Sequence, residues 1–223
     1  MINHDKIISL LLVAALFASG CNKVYRYDMR SYVQEYGQLR GIVLAPGGSE
    51  VFTSAAKGDC LSVHTRCKKY VTFKSDGEDK RIYDSLCVAH NDMTYNRKVG
   101  LVMDIIDVRC TFPDVVRYDV VSNMDFDDRH PAGSLLNDLM TIRFHSVQKY
   151  IDSGYTGHPD PFHCEETMPL PEMIAYDMRL LCGSLGDLVF TKEPDVPAVH
   201  RITVSVTTEK GKVYSDTIEY DFT

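Results

Sequence analysis

Along the closing stretch HRITVSVTTEKGKVYSDTIEYDFT, apolar and polar positions alternate: Ile202, Val204 and Val206 share one face, Glu209-Lys210-Gly211 interrupts, and Tyr214, Ile218, Tyr220 and Phe222 alternate on the return. A period of two belongs to a strand with one buried face, so this stretch predicts a β-hairpin. Short runs rich in β-branched and aromatic residues, bounded by Gly, Pro or Asp, recur from Gly41 onward as GIVLAP, EVFTSA, LSVHTR and KKYVTFKSDG. In VGLVMDIIDVRCTF, the residues Ile106, Val108, Cys110 and Phe112 turn to one face until Pro113, which cannot donate to a ladder, and RYDVVS follows as a further strand. Helical spacing is found in two places. Met29, Tyr32, Val33 and Tyr36 fall on one helical face before Gly37; later, Pro171 suits a first turn, Ile174, Met178 and Leu181 form a stripe, and Gly183 marks a stop. The pattern predicts a mainly β fold, an immunoglobulin-like or related β-sandwich with one or two short helices.

The amino-terminal run breaks this alternation. Lys6 precedes an apolar segment over residues 7–18, and Ala18-Ser19-Gly20 are small enough for a peptidase's subsites, which is the grammar of a secretory signal peptide. A membrane-spanning helix needs about 20 apolar residues, and this run is cut short by Gly20, Cys21, Asn22 and Lys23. Small-small-Gly-Cys at that junction resembles the lipobox of bacterial lipoproteins, with Ala18 where lipoboxes usually carry Leu. The resemblance implies cleavage before Cys21 and acylation of its thiol. One acyl chain binds membranes only marginally, so such an anchor carries several. Asn22 is not the Asp associated with inner-membrane retention, and NKVYRYD lacks an acidic export tag, so the expected location is the outer membrane of the cell envelope, facing the periplasm. The expected organisation is a lipoprotein signal peptide over 1–20, an anchor with a short helix or linker over 21–40, and a single β-rich domain over 41–223.

Composition narrows the partners. The whole chain holds 31 acidic and 24 basic residues, and removing the leader takes one of each, Asp5 and Lys6, so the net charge stays at −7. Scattered Lys and Arg on an acidic body argue against nucleic acid and anionic lipid headgroups as partners. The expected partners are the membrane, through the anchor, and an envelope protein or glycan. With Cys21 acylated, Cys60, Cys67, Cys87, Cys110, Cys164 and Cys182 remain, an even number that suits disulfides in an exported chain. Cys60 and Cys67 enclose a short segment and are the expected local pair; Cys110, in a strand pattern, competes as a buried free thiol. There is no C-x-x-C to suggest structural zinc.

Candidate chemistry is sparse. MDFDDRHPAG gathers Asp125, Asp127 and Asp128 beside His130, carboxylates that could suit calcium but lack the spacing of a calcium loop. The competing reading, which is preferred, is a turn whose Asp residues cap backbone amides. HPDPFHCEE offers His158, Asp160, His163, Cys164, Glu165 and Glu166, but two prolines interrupt it and no helix aligns the histidines, so a surface loop is expected. CGSLG is not the G-x-S-x-G elbow, Cys164 beside His163 is no thiol-nucleophile signature, and Gly47-Gly48 lacks the lysine of a phosphate loop. No cofactor is expected.

The succession SNMDFDDRHPAGSLLNDL, IRFHSVQKYIDSGY and LVFTKEPDVPAVHRITVSVTTEKGKVYSDTI resembles a family of Bacteroidetes lipoproteins classed as a domain of unknown function. That resemblance implies a location and no activity. The function expected is a membrane-anchored lipoprotein serving as a non-enzymatic binding or structural module. The alternatives are an envelope hydrolase acting on glycans through converging carboxylates, or a fimbria-type adhesin subunit.

Overall fold

The computed structural model of the chain describes residues 27–47, 60–95, 97–99, 108–156, 165–175 and 179–223. Strands β1 (Tyr27–Met29), β2 (Glu35–Pro46) and β3 (Cys60–Thr72) precede helix α1 (Gly77–Ala89). Strands β4 (Arg97–Val99), β5 (Arg109–Phe112), β6 (Val115–Ser122) and β7 (Met140–His145) lead to helix α2 (Gln148–Asp152), and β8 (Glu165–Pro169), β9 (Asp187–Phe190), β10 (Val199–Thr208) and β11 (Val213–Asp221) follow. Of the described residues 49% are strand and 16% helical, so the fold is mainly β, with two main sheets and two short α-helices among those residues, consistent with a β-sandwich. The larger sheet has the order β5-β2-β3-β9-β7-β8, the smaller β11-β10-β6, and β1 pairs separately with β4.

The predicted hairpin is β10 and β11, with Ile202 opposite Ile218, Val206 opposite Tyr214, and Gly211 in the turn at φ 73°. Its inner face, Ile202, Val204 and Val206, meets Leu39, Ile42, Leu44, Leu61, Val63, Ile142, Phe144 and Leu188 from the larger sheet. Burying these aliphatic and aromatic side chains is the main force that joins the sheets. Two polar contacts fix how they sit: the Tyr214 hydroxyl donates to the Leu39 carbonyl at 2.8 Å, and Leu44 N donates to Asp216 Oδ2 at 2.9 Å. A second core lies at the other end of β2 and β3, where Tyr32, Val33, Tyr36 and Val71 meet Tyr83 and Cys87 of α1 and Val147, Tyr150 and Ile151 around α2. Among the described residues no helix is long and apolar enough to cross a membrane.

Both predicted helices are corrected by the structure. Tyr32, Val33 and Tyr36 are buried, but residues 31–34 are irregular and β2 begins at Glu35. The competing interaction is a carboxylate. Asp92 accepts hydrogen bonds from Tyr32 N at 2.6 Å and Val33 N at 2.8 Å, and so holds the approach to β2 extended. The body thus includes part of the expected linker over 21–40. In the second stretch, a 3-10 turn covers Leu170–Ala175, but Leu180 has a positive φ of 55°, and Leu181 and Cys182 lie in β-bridges. Sheet partners take the backbone groups that a helix would need. Cys182 N donates to the His145 carbonyl at 2.9 Å, and Thr111 N to that of Leu181 at 3.2 Å.

Those bridges give the larger sheet an unusual edge. Leu181 pairs with Ser146 just beyond β7, and Cys182 pairs with Cys110 in β5. A ladder that runs from β5 through β2, β3 and β9 to β7 therefore returns to β5 through residues 181–182. The short edge strand β5 is thus covered by residues 181–183.

Two helices of the fold escape the expected pattern. In α1, Tyr83 and Cys87 face the core one turn apart, and the helix ends at Ala89, with Asn91 just beyond His90 at a φ of 59°. Glu78 and Asp79 occupy its first turn, where acids complement the helix dipole. β5 ends at Phe112, immediately before Pro113, as the alternation predicts, and Val108, Cys110 and Phe112 are buried.

Candidate functional site

The acidic loop after β6 is built around Phe126. Its ring is buried and stacks on Phe190 with centroids 5.6 Å apart, and Asp125 and Asp127 flank it. Asp127 Oδ1 accepts from Arg129 N at 2.9 Å, His130 N at 2.9 Å and His130 Nδ1 at 2.6 Å. Lys192 Nζ lies 2.6 Å from Asp127 Oδ2. Asp125 Oδ1 accepts from Ala132 N at 2.7 Å, and Asp128 is exposed. The ammonium of Lys192, together with His130 and the two amides, holds the Asp127 carboxyl below the usual carboxylate range. These carboxylates do not converge on one point. Asp125 and Asp127 cap local amides, which is the turn reading, and among the described residues no group of three or more His, Cys, Asp or Glu side chains is placed to hold a metal ion.

His130 links this loop to the next one. Its Nδ1 faces Asp127 and its Nε2 lies 3.0 Å from Asp138 Oδ1, so both ring nitrogens are engaged by carboxylates of the chain itself. An imidazole held on both sides positions a loop and has no nitrogen turned toward a reactant. A comparable tie joins three strands: Ser62 Oγ donates to Asp187 Oδ1 at 2.6 Å, and the Arg143 guanidinium donates to Asp187 Oδ2 at 3.1 Å.

A second cluster, unforeseen in the sequence, lies under α1. Besides the two amides before β2, Asp92 Oδ1 accepts from the Tyr155 hydroxyl at 3.0 Å. Burial pushes the Asp92 carboxyl up, and the amides of Tyr32 and Val33 offset part of that rise. Tyr83 donates to the Val33 carbonyl at 2.6 Å and sits 2.5 Å from Ser31 Oγ. Gln148 lies against His90, with Oε1 3.1 Å from the ring's Nδ1 and Nε2 donating to the His90 carbonyl at 3.1 Å. Cys87 completes the group, its thiol pushed up to about 11 by burial. A nucleophilic cysteine needs the opposite shift, so Cys87 is a packing residue. The signal for this region was present in Ile82, Tyr83, Leu86 and Cys87, whose spacing suits a helix that follows Asp76.

The expected Cys60–Cys67 pair is excluded by geometry. Both residues lie in β3, seven positions apart, which is about 23 Å of extended chain and places their side chains on opposite faces. A disulfide requires Cα atoms within roughly 7 Å. Cys60 is buried opposite Val189, whereas Cys67 lies over Gly37, where an added Cβ would come within 2.6 Å of its Sγ. Gly183, at φ 76°, follows the Cys182 bridge and does not end a helix, and Ser184 Oγ accepts from Gly186 N at 3.3 Å within its own turn. Glu165 lies 3.5 Å from His145 Nε2, and Glu166 pairs with Lys149 at 2.7 Å, so these two acids brace β8 against β7 and α2. The leader with Cys21, the EVFTSA run, Ile106, and the residues His158, Asp160, His163 and Cys164 lie outside the described residues.

A buried Ser122–His200 pair joins β6 to β10, with Oγ and Nδ1 2.8 Å apart. Phe126 and Phe222 pack against the imidazole in T-shaped contacts, and among the described residues its Nε2 has no hydrogen-bond partner. Burial lowers the His200 pKa, which favours the neutral ring. Comparison of the chain with protein-family models, with curated proteins and with solved structures gave no match in any of the three.

Proposed function

We propose that this chain is a lipid-anchored protein of the bacterial cell envelope, tethered through Cys21 at the outer membrane and facing the periplasm. Its β body is a non-enzymatic binding or structural module that engages an envelope protein or glycan. The observation that carries the reading is the leader, in which a short apolar run over residues 7–18 ends in Ala18-Ser19-Gly20-Cys21. The likeness of the later segments to Bacteroidetes lipoproteins supports the same location.

The body suits a scaffold. Asp125 and Asp127 cap amides of their own loop, both nitrogens of His130 face carboxylates, and burial holds the Cys87 thiol in its protonated form. These groups fix local geometry, and the module uses no cofactor. The expected result of cell fractionation is wild-type protein in the membrane fraction, released by detergent and retained in high salt, with Cys21→Ser in the soluble fraction. Recovery of both proteins in the soluble fraction would contradict the anchor. The mature body immobilised on a column should retain an envelope protein or glycan unchanged; release of cleaved glycan by that column would overturn the non-enzymatic reading.

A further inference from the structure

We propose that Cys110 and Cys182 form a disulfide that covalently closes the larger sheet onto itself. The two residues are direct antiparallel partners. Thr111 N donates to the Leu181 carbonyl and Gly183 N to that of Arg109, at 3.2 and 3.3 Å, so the hydrogen bonds flank the cysteines on both sides. That arrangement is the non-hydrogen-bonded type of antiparallel pair, in which facing Cα atoms approach most closely and side chains project to the same face. The two Sγ atoms are in contact at 3.0 Å, and both residues are buried. The sulfurs face one another across a single bridge, in contrast to those of Cys60 and Cys67.

The bond lies where the fold gains from it. β5 has only four residues, pairs in parallel with β2, and is otherwise held at its free side by the segment around residues 181–183. Cys110 and Cys182 are 72 positions apart, so a covalent link would tie that segment to the strand across a long stretch of sequence. The inference is independent of the anchor at Cys21.

The chemistry is thiol–disulfide exchange with an external disulfide, either glutathione disulfide or the disulfide of an oxidoreductase. One cysteine thiolate attacks the donor to give a mixed disulfide, and the second displaces the donor's remaining thiol. The protein loses two protons and two electrons, and the donor disulfide is reduced to two thiols. Burial pushes the Cys110 thiol well above its ordinary range, so the exchange belongs to folding, before the core closes. Once formed, the bond is shielded from reductants by the same burial.

The test refolds the full reduced chain in a glutathione redox buffer, quenches with acid, alkylates in denaturant without reduction, and maps the digested peptides by mass. The expected product is a linked pair of peptides containing Cys110 and Cys182, with alkyl label on Cys60, Cys67 and Cys87. The same linked pair should form in Cys87→Ala, which removes the neighbouring thiol of that core. The oxidised protein should melt roughly 10 °C above the protein refolded in reductant. Label on both Cys110 and Cys182, a link from either one to Cys87, or identical melting of the two preparations would overturn the proposal.

Discussion

The two cores of this protein are built by different rules. Between the sheets, Leu61, Val63, Val120, Ile142, Phe144, Leu188, Ile202, Val204 and Val206 pack with almost no polar atoms among them. Under α1, the aromatic and sulfur side chains of Tyr32, Tyr36, Tyr83, Cys87, Cys110 and Tyr150 surround an enclosed carboxylate, Asp92, with His90 and Gln148 beside it. The first core is held by the area it removes from water, and the second adds to such burial the hydrogen bonds that Asp92 accepts from Tyr32 N, Val33 N and the Tyr155 hydroxyl. The two cores therefore tolerate different substitutions. An apolar core accepts changes of shape that keep volume, whereas a polar network fails when one partner is lost.

Truncation in the first core gives the largest effect. Phe144→Ala should destabilise by about 3–5 kcal/mol, through lost burial and the cavity left behind. In the same core Ile142→Val should cost about 1 kcal/mol. In the second core the ranking follows hydrogen bonds. Asp92→Ala leaves two buried amides and the Tyr155 hydroxyl without their acceptor and should cost about 3 kcal/mol. Asp92→Asn nearly conserves volume but turns a donor toward one of those amides, and should still cost about 1–2 kcal/mol. Urea denaturation of the four variants measures all of these. If Asp92→Asn proves milder than Ile142→Val, the distinction between the cores fails.

The smallest predicted effect concerns pH. His200 is buried as the neutral ring, with its pKa below that of the unfolded chain. As pH falls through about 6.5, the unfolded state takes up a proton that the folded state refuses. Stability from this group is therefore complete above that pH and declines below it, by at most about 1.4 kcal/mol per pH unit. His200→Gln should show a shallower decline between about pH 7 and about pH 5.5 in urea melts. An unchanged slope in the variant would remove His200 from the acid response.

The same contrast explains what could be read in the sequence. Ile202, Val204 and Val206 of the hairpin, and Val108, Cys110 and Phe112 before Pro113, are buried by alternation, and alternation is a property of the local chain. The face formed by Tyr32, Val33 and Tyr36 was also legible, since all three are buried, but its conformation was not. That depends on Asp92, whose bonds to those amides span 59 and 60 positions of sequence. Leu181 fits a helical stripe as well as a strand, and the decision for it and Cys182 came from Thr111 and His145, which offer a backbone donor and acceptor from elsewhere in the fold. Of the acidic loop, the amide-capping roles of Asp125 and Asp127 were readable from local turn chemistry. The ammonium of Lys192 and the carboxylate of Asp138, which complete the loop's charge balance, arrive from separate segments. The cysteine pairing failed for a related reason: proximity in sequence put Cys60 and Cys67 together, and one continuous strand separates them.

The proposed function rests on Cys21, the residue that follows the leader, whereas Asp125, Asp127 and His130 of the body hold their own loops. The most direct measurement is metabolic labelling with a palmitate analogue in cells that produce wild type or Cys21→Ser, followed by intact mass of the purified protein. Label confined to the wild type, on a chain that begins at Cys21, is the predicted result. Equal label in both proteins, or an unlabelled wild type that retains residues 1–20, would contradict the account.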